Sequence, residues 1–325
     1  MERNLYTVRA ETSARTELLA SMTEVDTVLD RTLRWLWDAV AEPVLDALDR
    51  LGLPGRSGAP SGAPRLWWCA TGALALLPLH AAGHHDDVSS ADPPRTLLDR
   101  FTCSLTPTVG ALARARRAER SDEGQSPGPR RMLVVALPDL PGQPPLPQVR
   151  RELAHLRSLF PVEELTVLEG AHATRDAVRE GLRTHSWAHV SCHGTQHLDS
   201  PSAGGLQLFD GLLTVAETST GRHHGAFVLL SACKTFTGGR GLAQEAVSLG
   251  AALHFTGYSH VVGTQWSVGA QAAAEFSEEV HTALCTSAGF DPTGSAVAVR
   301  AAALRLRANA SLPRLCWTPF THIGP

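Results

Sequence analysis

The chain has 325 residues, 43% of them hydrophobic, with 29 basic and 32 acidic residues and a net charge of -3. That length and apolar content can build a substantial core, and the near balance of charge argues against nucleic acid or an anionic membrane as direct partner. Six cysteines (Cys69, Cys103, Cys192, Cys233, Cys285 and Cys316) are spread without a C-x-x-C pair, which reads as reduced thiols in a cytoplasm rather than a disulfide framework.

Residues 1–25 form a leader that lacks the apolar core of a signal peptide. Over 26–50, Leu29, Leu33, Leu36 and Val40 fall on one helical face, and Pro43 kinks or restarts the helix. LWWCATGALALLPLHAAG (66–83) carries no Asp, Glu, Lys or Arg. A membrane span takes about 20 apolar residues. Thr71-Gly72, Pro78 and His80 interrupt this one, so it is expected to be a hairpin of two short buried strands in a soluble protein. The loop at 120–131 is the best internal boundary; it separates an N-terminal part, 26–125, from a second part, 126–325.

Beyond that boundary the pattern becomes regular. A strand at 132–139 is followed by a helix at 150–160, a strand at 165–170, a helix at 173–183 and a strand at 186–193. A hairpin over 205–215 turns at Asp210-Gly211, and Thr214 and Glu217 are spaced as a capping box for a short helix. A strand at 226–233, a helix closed by Gly257, a strand at 260–266 and two Ala-rich helices complete the chain. Strands alternating with helices imply an α/β fold, a mostly parallel central sheet with helices on both faces.

In such a sheet, functional groups gather at the carboxyl ends of strands. Two consecutive core strands end in His193 and Cys233. Side by side, the imidazole would shift the thiol toward thiolate, the reactive nucleophile. Gly194 leaves the N–H after His193 unshielded, and with the N–H of Cys233 it would form an oxyanion hole. Ser231 lies two residues before Cys233, on the same side of its strand, and would line a substrate pocket. Gln265 and Trp266 end a strand near the site and are candidate pocket walls, with core packing the rival. Asp210 is either a specificity acid for a basic side chain or a hairpin turn residue. No side chain presents itself as a third catalytic member, leaving a backbone carbonyl to orient His193. Lys234, the sole lysine, follows the thiol and would favour its ionised form.

No metal or cofactor is expected. His189, Cys192, His193 and His197 have helical spacing in a segment that reads as strand and loop, which does not suit zinc. Cys192 turns to the face opposite His193 and reads as core. His84, His85, Asp86 and Asp87, and the pair His223-His224, read as chance clusters in polar loops. G-x-S-x-G, the G-x-x-x-x-G-K-[ST] phosphate loop, H-E-x-x-H and G-x-G-x-x-G after the first strand are all absent.

HVSCHG and LLSACKT together resemble the H-G and S-A-C-x-T signature of the CHAT domain family, caspase-like and separase-like cysteine peptidases. LWWCATGALALLPLHAAG, CSLTPTVGAL, GGLQLFDGLLTVAE, GLAQEAVSLGAAL, GYSHVVGTQWSV and WTPFTHIG follow in family order, so the resemblance covers about residues 30 to 325. It implies a caspase-like sandwich with an N-terminal helical and hairpin half, His193 as catalytic histidine and Cys233 as nucleophile. It further implies protein or peptide substrates, bacterial signalling or defence, and a sensor or repeat protein as activator. Two departures stand out. Trp266 is followed by Ser267, Val268 and Gly269 where many members carry acids, and Lys234 stands where Glu, Gln or Arg is frequent. The alternative function is an interaction module that keeps the fold with little turnover.

Overall fold

The computed structural model describes residues 22–53, 63–87, 94–121, 130–196, 200–220, 223, 225–231 and 248–325. Cys233, Lys234 and His197 lie outside these residues, as do His224 and the first 21 positions.

The N-terminal helix α1 runs from 22 to 50 and buries Leu33, Leu36, Trp37 and Leu45. Pro43 has no N–H to donate to the preceding turn. The helix answers with a π turn over Trp37–Ala41, closed by the Glu42 N–H on the Trp37 carbonyl, and then runs on as Glu42–Arg50. A single wide turn therefore absorbs the proline, and the helix is not broken.

The stretch 66–83 is not a hairpin. Arg65–Trp68 forms β1, but Gly72, at φ +62°, turns the chain into 3-10 turns over Gly72–Leu76 and Leu79–Ala81. The partner of β1 is β2, Thr102–Leu105, in parallel register. Between them Leu97–Arg100 is α2, capped by Thr96, and after β2 Val109–Ser121 is α3.

The remaining elements follow the expected alternation: β3 Met132–Ala136, α4 Gln148–Leu159, β4 Leu165–Glu169, α5 Arg175–Thr184, β5 Trp187–Ser191, β6 His193–Thr195, β7 Gly205–Leu208, β8 Gly211–Thr214, α6 Val215–Thr218, β9 Phe227–Leu230, α7 Leu249–Thr256, β10 His260–Thr264 and α8 Ala270–Leu284. A two-residue ladder, β11 Cys285–Thr286 with β12 Gly289–Phe290, leads to α9 Ser295–Ala308 and a closing strand β13, Phe320–Ile323. The Asp210-Gly211 hairpin and the Thr214/Glu217 capping box both form as the sequence suggests.

Eight strands join in the order β1-β2-β13-β10-β9-β5-β3-β4. Every pairing is parallel except β10 with β13. Strands β3, β5, β9 and β10 are buried along their whole length, as helices on both faces require. One face packs Met132, Val134, Leu229 and Val262 against α4, α8 and α9. The other packs Leu133, Val135, Val190 and Val228 against α5 and α7. A third apolar cluster joins α1 to β1 and α2 through Trp37, Trp68 and Phe101.

Candidate active site

The chain leaves β3 for β4 on one side and returns to place β5 on the other, so the sheet has its switch point at the carboxyl ends of β3 and β5. Crevices at such points are where open α/β sheets hold ligands. The β3–α4 connection carries Pro138, Pro141, Pro144, Pro145 and Pro147, whose fixed φ stiffens it. It is tied further by the Leu146 N–H on the Pro138 carbonyl, at 2.7 Å.

This loop meets His193. Past the end of β5 the chain enters β6, which pairs antiparallel with β7 and sets His193 opposite Gln207 and Gly194 opposite Leu206. His193 is half-buried, and its Nε2 lies 2.7 Å from the Pro144 carbonyl oxygen. A carbonyl only accepts, so Nε2 carries a hydrogen and, in the neutral ring, Nδ1 keeps the lone pair. Strand β9 lies directly beside β5, and its extension reaches Ser231, two residues before Cys233.

A residue that sequence reasoning did not single out sits below these strand ends. Glu152 of α4 is fully buried. Its carboxylate accepts from Ser191 Oγ at 2.5 Å, Ser231 Oγ at 2.6 Å and His189 Nε2 at 3.3 Å. Ser191 precedes His193 by two residues and Ser231 precedes Cys233 by two, so one carboxylate ties together the strands that lead to both. The signal was present: Glu152 shares the apolar face of α4 with Val149, Leu153 and Leu156, all buried. Beside it His281 is pushed down to about 3, first by burial and then by neighbouring His189, whose ring it meets edge-on at 5.1 Å.

Other predicted site residues fall elsewhere. Ser231 does line a cleft, between the ends of β9 and β10 and the helices α4 and α8. Asp210 does not reach it: its Oδ1 accepts from the Arg175 N–H at 2.8 Å, so it caps α5 from the hairpin turn. Gln265 is buried with Nε2 toward the Leu77 carbonyl, and Trp266 donates from Nε1 to the Leu315 carbonyl at 3.0 Å. Both of these hydrogen bonds run to segments outside the cleft. Cys192 belongs to the core on the opposite face, as strand alternation predicts. Asp86 pairs with Arg34 and Arg314, and His84 with Asp38, tying α1 to the loop before β13. Among the described residues no group of three or more His, Cys, Asp or Glu is arranged to hold a metal, and no helix is long and apolar enough to cross a membrane.

The sequence model of the CHAT domain matches residues 30–325. The chain belongs to the CHAT domain family. Among curated proteins none matches the sequence. Among solved structures, the Saccharomyces cerevisiae separase–securin complex is similar at a TM-score of 0.53 and 12% identity, over 79% of this chain and 15% of that one. A second structure of that complex gives 0.53 and 13%, over 77% and 15%. The Porphyromonas gingivalis RgpB pro- and mature domains give 0.41 and 11%, over 60% and 47%. At these identities the likeness is one of fold: the CHAT chain has the caspase-like α/β architecture and spans about a seventh of the separase chain.

Proposed function

We propose that this CHAT protein is a cysteine endopeptidase with His193 and Cys233 as its dyad. The observation that carries the reading is the placement of His193. It lies at the sheet's switch point, beside the strand that leads to Cys233, with Nε2–H committed to the Pro144 carbonyl. That hydrogen bond leaves Nδ1 to take the thiol proton, and the carbonyl does the work of a third member by fixing tautomer and ring orientation. The thiolate attacks a peptide carbonyl, and the N–H groups of Gly194 and Cys233 hold the oxyanion. His193 returns its proton to the departing amine, and water releases the acyl-enzyme. Family membership supports protein substrates in bacterial signalling or defence, a cytoplasmic setting, and a sensor or repeat protein as activator.

The test is to incubate the protein with an unstructured polypeptide and map new N-termini by mass spectrometry, with Cys233→Ala as control. New termini that depend on Cys233 are expected. Identical maps for the two proteins would leave an interaction module as the better reading.

A further inference from the structure

One stiff stretch of chain touches the strand of His193 twice. Pro144, whose carbonyl takes the His193 Nε2–H at 2.7 Å, is joined to Glu152 through Pro145 and Pro147, which fix φ, and through the first turn of α4. The Val149 N–H closes on the Leu146 carbonyl at 3.1 Å, which makes the entry to the helix part of the same unit. Glu152 Oε2 then accepts from Ser191 Oγ at 2.5 Å and from His189 Nε2 at 3.3 Å, and Ser191 stands two residues before His193. Residues 144–152 therefore grip residues 189–193 at both ends, once through the imidazole and once through the strand that carries it. We propose that Glu152 is the positioning residue of His193: it sets α4 on β5 so that the Pro144 carbonyl stands where Nε2–H reaches it. The proposal rests on the peptidase reading for its chemistry and adds the group that keeps the base in place.

Stability alone does not call for a carboxylate here. Glu152, His189 and Ser191 are all buried, and an aliphatic residue at 152 would extend the apolar face of Val149, Leu153 and Leu156 without taking a carboxylate out of water. What aliphatic packing lacks is direction. Apolar contact follows area and tolerates a helix that turns or slides a little, whereas a hydrogen bond weakens steeply when bent. Two donors from β5 on Oε2 resist both motions, and Ser231 Oγ on Oε1, at 2.6 Å, adds a third hold from the extension of β9. The sheet is the fixed frame: β5 pairs with β3 along Trp187–Ser191, and the Leu137 N–H donates to the Ser191 carbonyl at 3.0 Å. The helix is the part that needs placing. Were α4 to drift, His193 would lose the Pro144 carbonyl, and its single hydrogen in the neutral ring would distribute over both nitrogens. Every molecule with Nδ1–H would then lack the lone pair that takes the thiol proton.

The experiment compares the full chain with Ser191→Ala, Glu152→Gln and Leu153→Ala, each labelled with nitrogen-15 histidine, and His193 is assigned by its loss in His193→Ala. Two quantities are read: the ratio of Nε2–H to Nδ1–H tautomer in the neutral His193 ring, and the rate at which iodoacetamide alkylates Cys233 at pH 6 relative to exposed Cys69. In Ser191→Ala the ratio should fall at least about threefold and the relative rate at least about tenfold, as for a displacement of about 1 Å at a reacting group. Glu152→Gln keeps an acceptor for Ser191 and should shift both in the same direction by less. Leu153→Ala removes packing from the same helix face and no hydrogen bond to β5; it should lower the denaturation midpoint and leave both readouts at native values. A native ratio in Ser191→Ala, or an equal shift in Leu153→Ala, would overturn the proposal; should Ser191→Ala not fold, Glu152→Gln decides by the same two readouts. Alkylation of Cys233 that ignores His193→Ala would instead overturn the peptidase reading, and the tautomer ratios would still decide whether Glu152 places the ring.

Discussion

Replacing Glu152 by alanine should be the most damaging single change among the described polar residues. Its carboxylate is fully buried and accepts from two hydroxyls and one imidazole N–H. Removing it strands two buried donors, on Ser191 and His189, each costing about 1 to 3 kcal/mol, and the half-buried Ser231 hydroxyl at less, and adds a cavity where the side-chain methylenes had packed. Hydroxyls can swing toward other acceptors, which trims the sum, so about 4 to 6 kcal/mol is expected. That is comparable to the whole stability of many domains. The assay is urea unfolding followed by tryptophan fluorescence, comparing midpoints and slopes. Glu152→Gln keeps the shape and one acceptor, and a hydroxyl can rotate to accept from the new amide, so about 1 to 2 kcal/mol is expected there. A double-mutant cycle between Glu152→Gln and Ser231→Ala should return a coupling of about 1 to 3 kcal/mol, as for a hydrogen bond to a charged group. If Glu152→Ala costs less than about 1 kcal/mol, or the cycle shows no coupling, the carboxylate does not tie the two strands and that part of the account is wrong.

The other expectations concern titration and backbone. Burial pushes His80 and His254 down to about 4 and His281 to about 3. Above pH 6.5 neither folded nor unfolded state is protonated there. Below it the unfolded chain takes up protons that the folded chain refuses, so stability falls with pH until about 4. Each of these histidines removes about 2 kcal/mol by pH 5, and the denaturation midpoint should drop clearly between pH 7.5 and 5; an unchanged midpoint would contradict their burial as neutral rings. Gly257 sits at φ +136°, and a Cβ there would come within 1.9 Å of the His223 carbonyl oxygen. Gly257→Ala should therefore cost at least about 2 kcal/mol in the same unfolding assay, and a neutral result would refute the helix-end geometry. Nitrogen-15 spectra of His193 in its neutral form should report the Nε2–H tautomer; an Nδ1–H tautomer would break the link to Pro144.

Much of this was readable from the residues. The runs MLVVA and FVLL read as buried strands and are so, whereas His193, expected to end the core strand 186–193, falls past the end of β5 on β6, in a separate three-stranded sheet. The Thr214/Glu217 box and the Asp210-Gly211 turn are local chemistry, legible within a few residues. Long-range pairing was not. Nothing near Arg65–Trp68 says that its partner lies more than thirty residues on, so an apolar stretch broken by Thr71-Gly72 looked like a hairpin. The strand Phe320–Ile323 inserts between β2 and β10, a position fixed by packing rather than by pattern. The Phe276 and Phe320 rings stack at 3.7 Å as part of that packing. Pro144 acts through its backbone carbonyl, which leaves no side-chain signature. Gln265 and Trp266 were near the site in sequence, yet their side chains bond toward Leu77 and Leu315 instead.

The dyad itself is tested most directly by alkylating the protein with iodoacetamide across a pH series and reading each cysteine by mass spectrometry, in the native chain and in His193→Ala. An ordinary thiol titrates near pH 8.5, and exposed Cys69 serves as the internal reference. The account predicts that Cys233 reacts at markedly lower pH than Cys69 and loses that advantage in His193→Ala. Cys233 following the same pH curve as Cys69 in both proteins would contradict it.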